Sequence, residues 1–260
     1  MIRELDKMTT LEVAEYLETG SGIIVVPVGS TEQHGPHATL GLDTFGALFV
    51  SQRVAEKLEA VVAPALPYGM SLAHAGFKGT ISLTPTTLAV VMREICSSLL
   101  LQGFRLLLVI SGHRDNDASI QIAASEARAA HGGHILSMFY GEVNRGRLAE
   151  AVGVPADTFR AEDIRYGADG HGGSVELSLS IAFEPRSTRP ERYFKPDTTR
   201  ADLRRTFPFK AAQTIEEYGD CGVFGNPAHA SAERGHHLVE TTAEAIAAHV
   251  RRYITAFGKH

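Results

Sequence analysis

Two short stretches concentrate side chains that can bind a cation and move a proton. The first is STEQHGPH at 30–37, followed by LGLDT at 40–44, which brings Glu32, His34 and Asp43 close together along the chain. The second is SGHRDND at 111–117, with His113 and Asp115. Imidazole suits zinc, iron and other borderline metals, whereas carboxylates also accept manganese or magnesium. The mixed nitrogen and oxygen set therefore points to a divalent cation without choosing it, and a carboxylate can bridge two ions. Each residue also has an ordinary structural use: Glu32 as a turn cap, His34 as a donor to a backbone carbonyl, Asp43 as a helix cap. Position separates the two readings, because ligands must face one crevice.

The elements that would place them there are legible as runs. IIVVPVG at 23–29 is apolar without alternation, as in a strand buried on both faces of a parallel sheet, and it ends in the loop carrying Glu32, His34 and His37. From Asp43 to Leu58 the apolar residues Leu48, Val50, Val54 and Leu58 recur at helical spacing, and VVAPAL at 61–66 reads as the next strand, making a βαβ unit. Thr84 before Pro85 caps a helix running to Gly103, followed by LLLVISGH as a second buried strand. Residues 115–131 read as a helix, 134–140 as a strand, 174–183 as a largely buried helix, and 238–256 as the last helix. This alternation predicts a three-layer αβα, α/β fold with a mostly parallel sheet, spanning 1–260 as one domain. Ligands in such sheets gather at the carboxyl ends of the strands, which is where both polar stretches lie. Between Pro185 and Gly225 the periodicity weakens, a stretch open to reading as an excursion, a lid or an oligomer contact.

Composition narrows the partners. With 260 residues, 44% of them hydrophobic, the chain can bury a sizeable core unaided. The formal charge of −5 and pI near 6.2 give no electrostatic basis for nucleic acid or an anionic membrane as partner, so a small-molecule substrate is expected. Two cysteines, Cys96 and Cys221, make neither a disulfide framework nor a cysteine zinc site. The amino terminus lacks a basic start followed by an apolar core, and no apolar run reaches the roughly 18–20 residues of a membrane span, so a cytoplasmic protein is expected.

VPVGSTEQHGPH with the following LDT, AHAGFKGTISL, SGHRDN, HGGSVELSL and GVFGNPAHASAERG occur in the order found in creatininase-family amidohydrolases, which the chain resembles over most of its length. The resemblance implies two divalent ions, Zn2+ or Mn2+ with Fe2+ also compatible. Glu32, Asp43 and His113 resemble the ligands of one ion, and His34 and Asp43 those of the other, with Asp43 as the bridge. The remaining carboxylate is Asp115 or Glu176; Asp115 is one methylene shorter than the glutamate that creatinine hydrolases carry there. His171, between glycines, resembles the family's catalytic histidine, and Ser71 a position that meets substrate through its backbone. Arg114 is a candidate to recognise a substrate carboxylate or phosphate, or to pair with Asp115 or Asp117. His37 and His74 belong to the same motifs and either line the pocket or serve their loops, while the histidines at 229, 236 and 237 read as structural or exposed.

The implied reaction is hydrolysis of a C–N bond in a cyclic or other small amide, with a metal-activated water as nucleophile and His171 passing a proton to the departing nitrogen. Formamide deformylation and peptide trimming are the alternatives within the family, and metal-dependent binding without turnover is the alternative outside catalysis. The absence of tryptophan disfavours creatinine itself, because creatinine hydrolases surround that ring with tryptophan. A homo-oligomer is implied, hexamers being frequent among relatives.

Overall fold

A computed structural model describes residues 2–144, 171–194, 214–217, 219 and 221–257. Five strands form one sheet in which every pairing is parallel: β1 (Arg3–Glu4), β2 (Ile23–Val28), β3 (Val61–Val62), β4 (Leu106–Ser111) and β5 (His134–Phe139), in the order β1-β3-β2-β4-β5. The unalternating runs are explained by burial on both faces: every residue of β2 and β4 is buried.

Odd and even positions of those strands feed two separate cores. Ile23, Val25, Leu106, Leu108 and Ile110 pack with α2 (Leu42–Leu58), α6 (Ser174–Phe183) and α7 (Ala232–Phe257). Ile24, Val26, Val28, Leu107 and Val109 pack with α1 (Thr10–Thr19), α3 (Pro85–Leu101) and α4 (Asp117–His131). The result is the expected αβα sandwich, with a short α5 (Gly141–Asn144) after β5. Local chemistry agrees at the helix starts. Thr9 and Glu12 close a capping box on α1, and the Thr84 side chain accepts from the Thr87 N–H ahead of Pro85 on α3.

Three elements differ from the sequence expectation. The strand expected at 61–66 stops at Val62, because Pro64 has no N–H to continue a ladder; Leu66 rejoins the sheet only through an isolated bridge to Val28. The last helix starts at Ala232 rather than 238, running through Gly235. A side chain at that glycine would collide with the Ser178 carbonyl of α6, so it is an inter-helix contact. Helix α1, unassigned from sequence, contributes Tyr16 to the second core. Most of the weakly patterned stretch between 185 and 225 lies outside the described residues; its described part includes 3-10 turns at Pro185–Ser187 and Pro190–Arg192.

The chain leaves β2 for β3 on one side and returns to β4 on the other, so β2 and β4 flank the point where strand order reverses. Loops leaving two such neighbours in opposite directions open a crevice at their carboxyl ends.

Candidate metal centre

Glu32 and His34 follow β2, His113 follows β4, and Asp43 lies in the first turn of α2, so three elements converge on that crevice. Glycines make the approach possible. A side chain at Gly112 would collide with the Asp43 carbonyl, and one at Gly29 with Thr44, so both strand ends are bare where α2 begins. Glu32 and His34 are fully buried, and Asp43 and His113 nearly so.

Asp43 stands between two histidines: Oδ1 is 3.3 Å from His34 Nε2 and Oδ2 is 3.3 Å from His113 Nδ1. Glu32 Oε2 is 3.2 Å from His113 Nδ1, and Glu176 Oε2 is 3.9 Å from His34 Nε2. Potential ligand atoms therefore form three groups within 4.8 Å: Glu32, Asp43 and His113; His34, Asp43 and Glu176; and Glu32, His34 and His171. Asp43 belongs to the first two, the arrangement of a bridging carboxylate.

Backbone carbonyls orient the imidazoles. His113 Nε2 lies 3.0 Å from the Met70 carbonyl, and His34 Nδ1 lies 3.2 Å from the Glu32 carbonyl. Donation of an N–H to each carbonyl turns the opposite nitrogen of each ring toward Asp43, where it offers a lone pair to a cation once that nitrogen gives up its proton. Glu32 also accepts from Ser30 Oγ, and Glu176 from the Gly172 N–H at 2.8 Å. Asn116 ties the loops together, its amide donating to the Gly29 carbonyl and accepting from the Met70 N–H.

The electrostatics favour positive charge at the ligand nitrogens. Burial opposes protonation of His34, yet Asp43, Glu176 and Glu32 outweigh it and hold the ring's pKa up to about 9. Burial likewise opposes charge on His113, but Glu32 and Asp43 raise it well above the usual histidine range. For Glu32, burial works upward, while His113, His74 and His171 draw the carboxyl well below its ordinary value. Burial pushes Glu176 up to about 7 against the pull of His34. His171 is held well below the usual range by burial and by neighbouring His34 and His74, so it is neutral.

Glu32 Oε1, His34 Nε2 and Asp43 Oδ2 are buried without a hydrogen-bond partner among the described residues. Orphaned polar atoms are costly in a dry interior. Three at one point, with mixed nitrogen and oxygen character, fit divalent cations.

Of the residues singled out from sequence, Glu32, His34, Asp43, His113, His171 and Glu176 come together. Asp115 does not belong to any of the ligand groups: it sits on the 3-10 turn Arg114–Asn116, which begins only after His113, and a side chain one methylene short of glutamate has less reach from there. Arg114 points away, exposed, to Glu142 at 3.0 Å and over the Phe139 ring. The backbone of Ser71 is already engaged, its N–H donating to Ser82 Oγ and its carbonyl accepting from the His74 N–H; its hydroxyl pairs with Ser30. His74 joins the cluster, Nε2 lying 3.4 Å from Glu32 Oε1, whereas His37 bonds the Gly172 carbonyl from outside it. Histidines 229, 236 and 237 are exposed, as expected. Gln33 passes unnoticed in sequence between two ligands, yet it is buried and contacts both His74 and His171.

A family profile described as creatinine amidohydrolase matches residues 6–250. The mycofactocin precursor peptide peptidase of Mycobacterium tuberculosis is 29% identical, over 93% of this chain and 89% of that protein. The creatinine amidohydrolase of Pseudomonas putida is 28% identical, over 94% of this chain and 95% of that protein. A solved structure described as a Mn creatininase superposes with a TM-score of 0.80 at 26% identity, covering 97% of this chain and 98% of that one.

Proposed function

Because the chain belongs to the creatinine amidohydrolase, or creatininase, family of hydrolases, we propose that it cleaves a C–N bond of a cyclic or related small amide at a two-cation centre. Glu32, Asp43 and His113 would hold one cation, and His34, Asp43 and Glu176 the other, drawn from zinc or manganese. The observation carrying this reading is the orphaned, buried set Glu32 Oε1, His34 Nε2 and Asp43 Oδ2 at one sheet edge. What divalent ions supply in such a site is Lewis-acid polarisation of a carbonyl and a water acidic enough to ionise near neutral pH.

The protein's own residues supply the rest. Neutral His171 can take a proton as the nucleophile attacks and return it to the departing nitrogen, which leaves only when protonated. It stacks on His34 at 4.2 Å between ring centroids, so the proton it carries stays beside the carboxylates. His171 and Glu176 are the least buried members of the cluster, at 10% and 19% exposure, which puts the substrate's approach on their side.

A peptidase reading is favoured by one observation: the mycofactocin peptidase and the creatinine amidohydrolase are almost equally similar to this chain. One experiment addresses both. Metal content after purification without chelator, for wild type and Asp43→Ala, is combined with product analysis on cyclic amides, formamides and short peptides. About two equivalents per chain, lost with turnover in the variant, is expected; no metal in wild type overturns the reading.

A further inference from the structure

We infer that Gln33 is a positioning residue that fixes the tautomers of His74 and His171, presenting the His171 Nδ1 lone pair to the cation cluster. The inference deepens the proposed function, because it concerns the proton carrier of that site.

The argument is a count of protons. The Gln33 amide cannot flip: the Gly35 N–H donates to Oε1 at 2.9 Å, and the Gly222 carbonyl accepts from Nε2 at 2.9 Å. One amide proton is thereby committed, leaving one for two candidates. His74 Nδ1 is 2.9 Å from Gln33 Nε2, and His171 Nε2 is 3.0 Å from it. The choice falls to the Gln33 backbone, whose carbonyl lies 2.6 Å from His171 Nε2. Two acceptors cannot face each other at that distance, so His171 Nε2 carries a proton and donates to the carbonyl. The remaining amide proton then goes to His74 Nδ1.

Both rings follow. His74, accepting at Nδ1, is an Nε2–H tautomer, with Nε2 3.4 Å from Glu32 Oε1 but without hydrogen-bond alignment. His171, donating at Nε2, keeps its lone pair on Nδ1, 3.8 Å from Glu32 Oε1 and inside the cluster. The opposite tautomer would place a proton there and leave no base. Gly222 completes the device, since a side chain at that position would strike the Gln33 amide.

The test reads tautomers directly, in 15N-histidine-labelled, metal-free full-length protein, by long-range 1H–15N correlation, with His74→Ala and His171→Ala used for assignment. The expected wild-type pattern is Nε2–H at both rings; an Nδ1–H at His171 overturns the inference without any variant. In Gln33→Met, which has similar length and no side-chain amide, His74 is expected to lose its single-tautomer signal, while His171 keeps Nε2–H because the backbone carbonyl that accepts from it remains. In Gln33→Glu, which only accepts, His74 is expected to gain a proton at Nδ1. Persistence of the wild-type His74 signal in folded Gln33→Met, or loss of Nε2–H at His171 there, overturns the inference. The wild-type tautomers with no hydrolysis of any substrate would leave the inference standing and sink the hydrolase mechanism instead.

Discussion

At the residue scale, the cluster separates holding a cation from moving a proton. Asp43 reaches both neighbouring histidines with different oxygens, whereas His171 approaches Glu32 from the more open side. His171→Ala is therefore expected to retain bound metal and lose about 10²- to 10⁴-fold in turnover, the usual contribution of a general acid or base. Metal analysis beside kcat checks this, and loss of metal would reassign the ring as a ligand. Asp117, at the start of α4, offers a separate pH test. Burial pushes its carboxyl up to about 6 from an ordinary 3.8, with Arg114 opposing and Glu142 reinforcing. A raised folded-state value means stability present below pH 3.8 and lost as pH rises through about 6. Asp117→Asn removes that loss, so its melting temperature should exceed wild type at pH 7.5 and converge with it near pH 4. A constant offset across that range would exclude Asp117 as the source.

At the element scale, the site depends on how closely α2 approaches two strand ends. Gly112→Ala sets a side chain against the Asp43 carbonyl, which only a shift of the helix start or of the β4 loop can relieve. Overpacking of this kind costs about 1–3 kcal/mol, and here it falls on the bridging carboxylate. The expected outcome is a folded protein with near-native helix content and metal affinity reduced at least tenfold, measured by titration against a competing chelator. Unchanged affinity would mean that the Asp43 position tolerates the shift. Legibility also differed by element. The buried strands β2 and β4 and helices α2, α3 and α6 stand out because burial on two faces, or on one helical stripe, imposes a residue pattern. The end of β3 is written locally in Pro64, whereas the start of α7 is not, because the glycine there acts through a helix remote in sequence.

At the scale of the whole molecule, the cation centre joins the carboxyl edge of the sheet to one of its two helical layers. Glu32 and His34 follow the central strand, Asp43 comes from a helix on one face, and Glu176 begins α6, which packs against α7 on the same face. Removing cations leaves buried carboxylates without partners, so chelation should lower the melting temperature of the entire domain. Binding to the folded state alone at 100 times Kd contributes about 2.7 kcal/mol. Calorimetry before and after chelation, with metal loss verified, measures it; an unchanged transition would argue that no cation is integral to the fold. No helix among the described residues is long and apolar enough to cross a membrane.

The amino-acid sequence by itself determined the layered α/β class and the two strand-end loops that carry Glu32, His34 and His113, because hydrophobic runs and polar breaks are local. Motif order carried the family, gave Asp43 its bridging role, and named His171 and Glu176. Only the tertiary structure decided that Asp115 and Arg114 stand outside the cluster while Glu176 stands within it. That depends on where a turn begins and which way a side chain leaves it, which no spacing encodes. Only the tertiary structure, too, drew in His74 and gave Gln33 its place. An amide between two ligands looks like filler until Gly35, Gly222 and two imidazoles, brought in from distant segments, use up its hydrogen-bonding capacity.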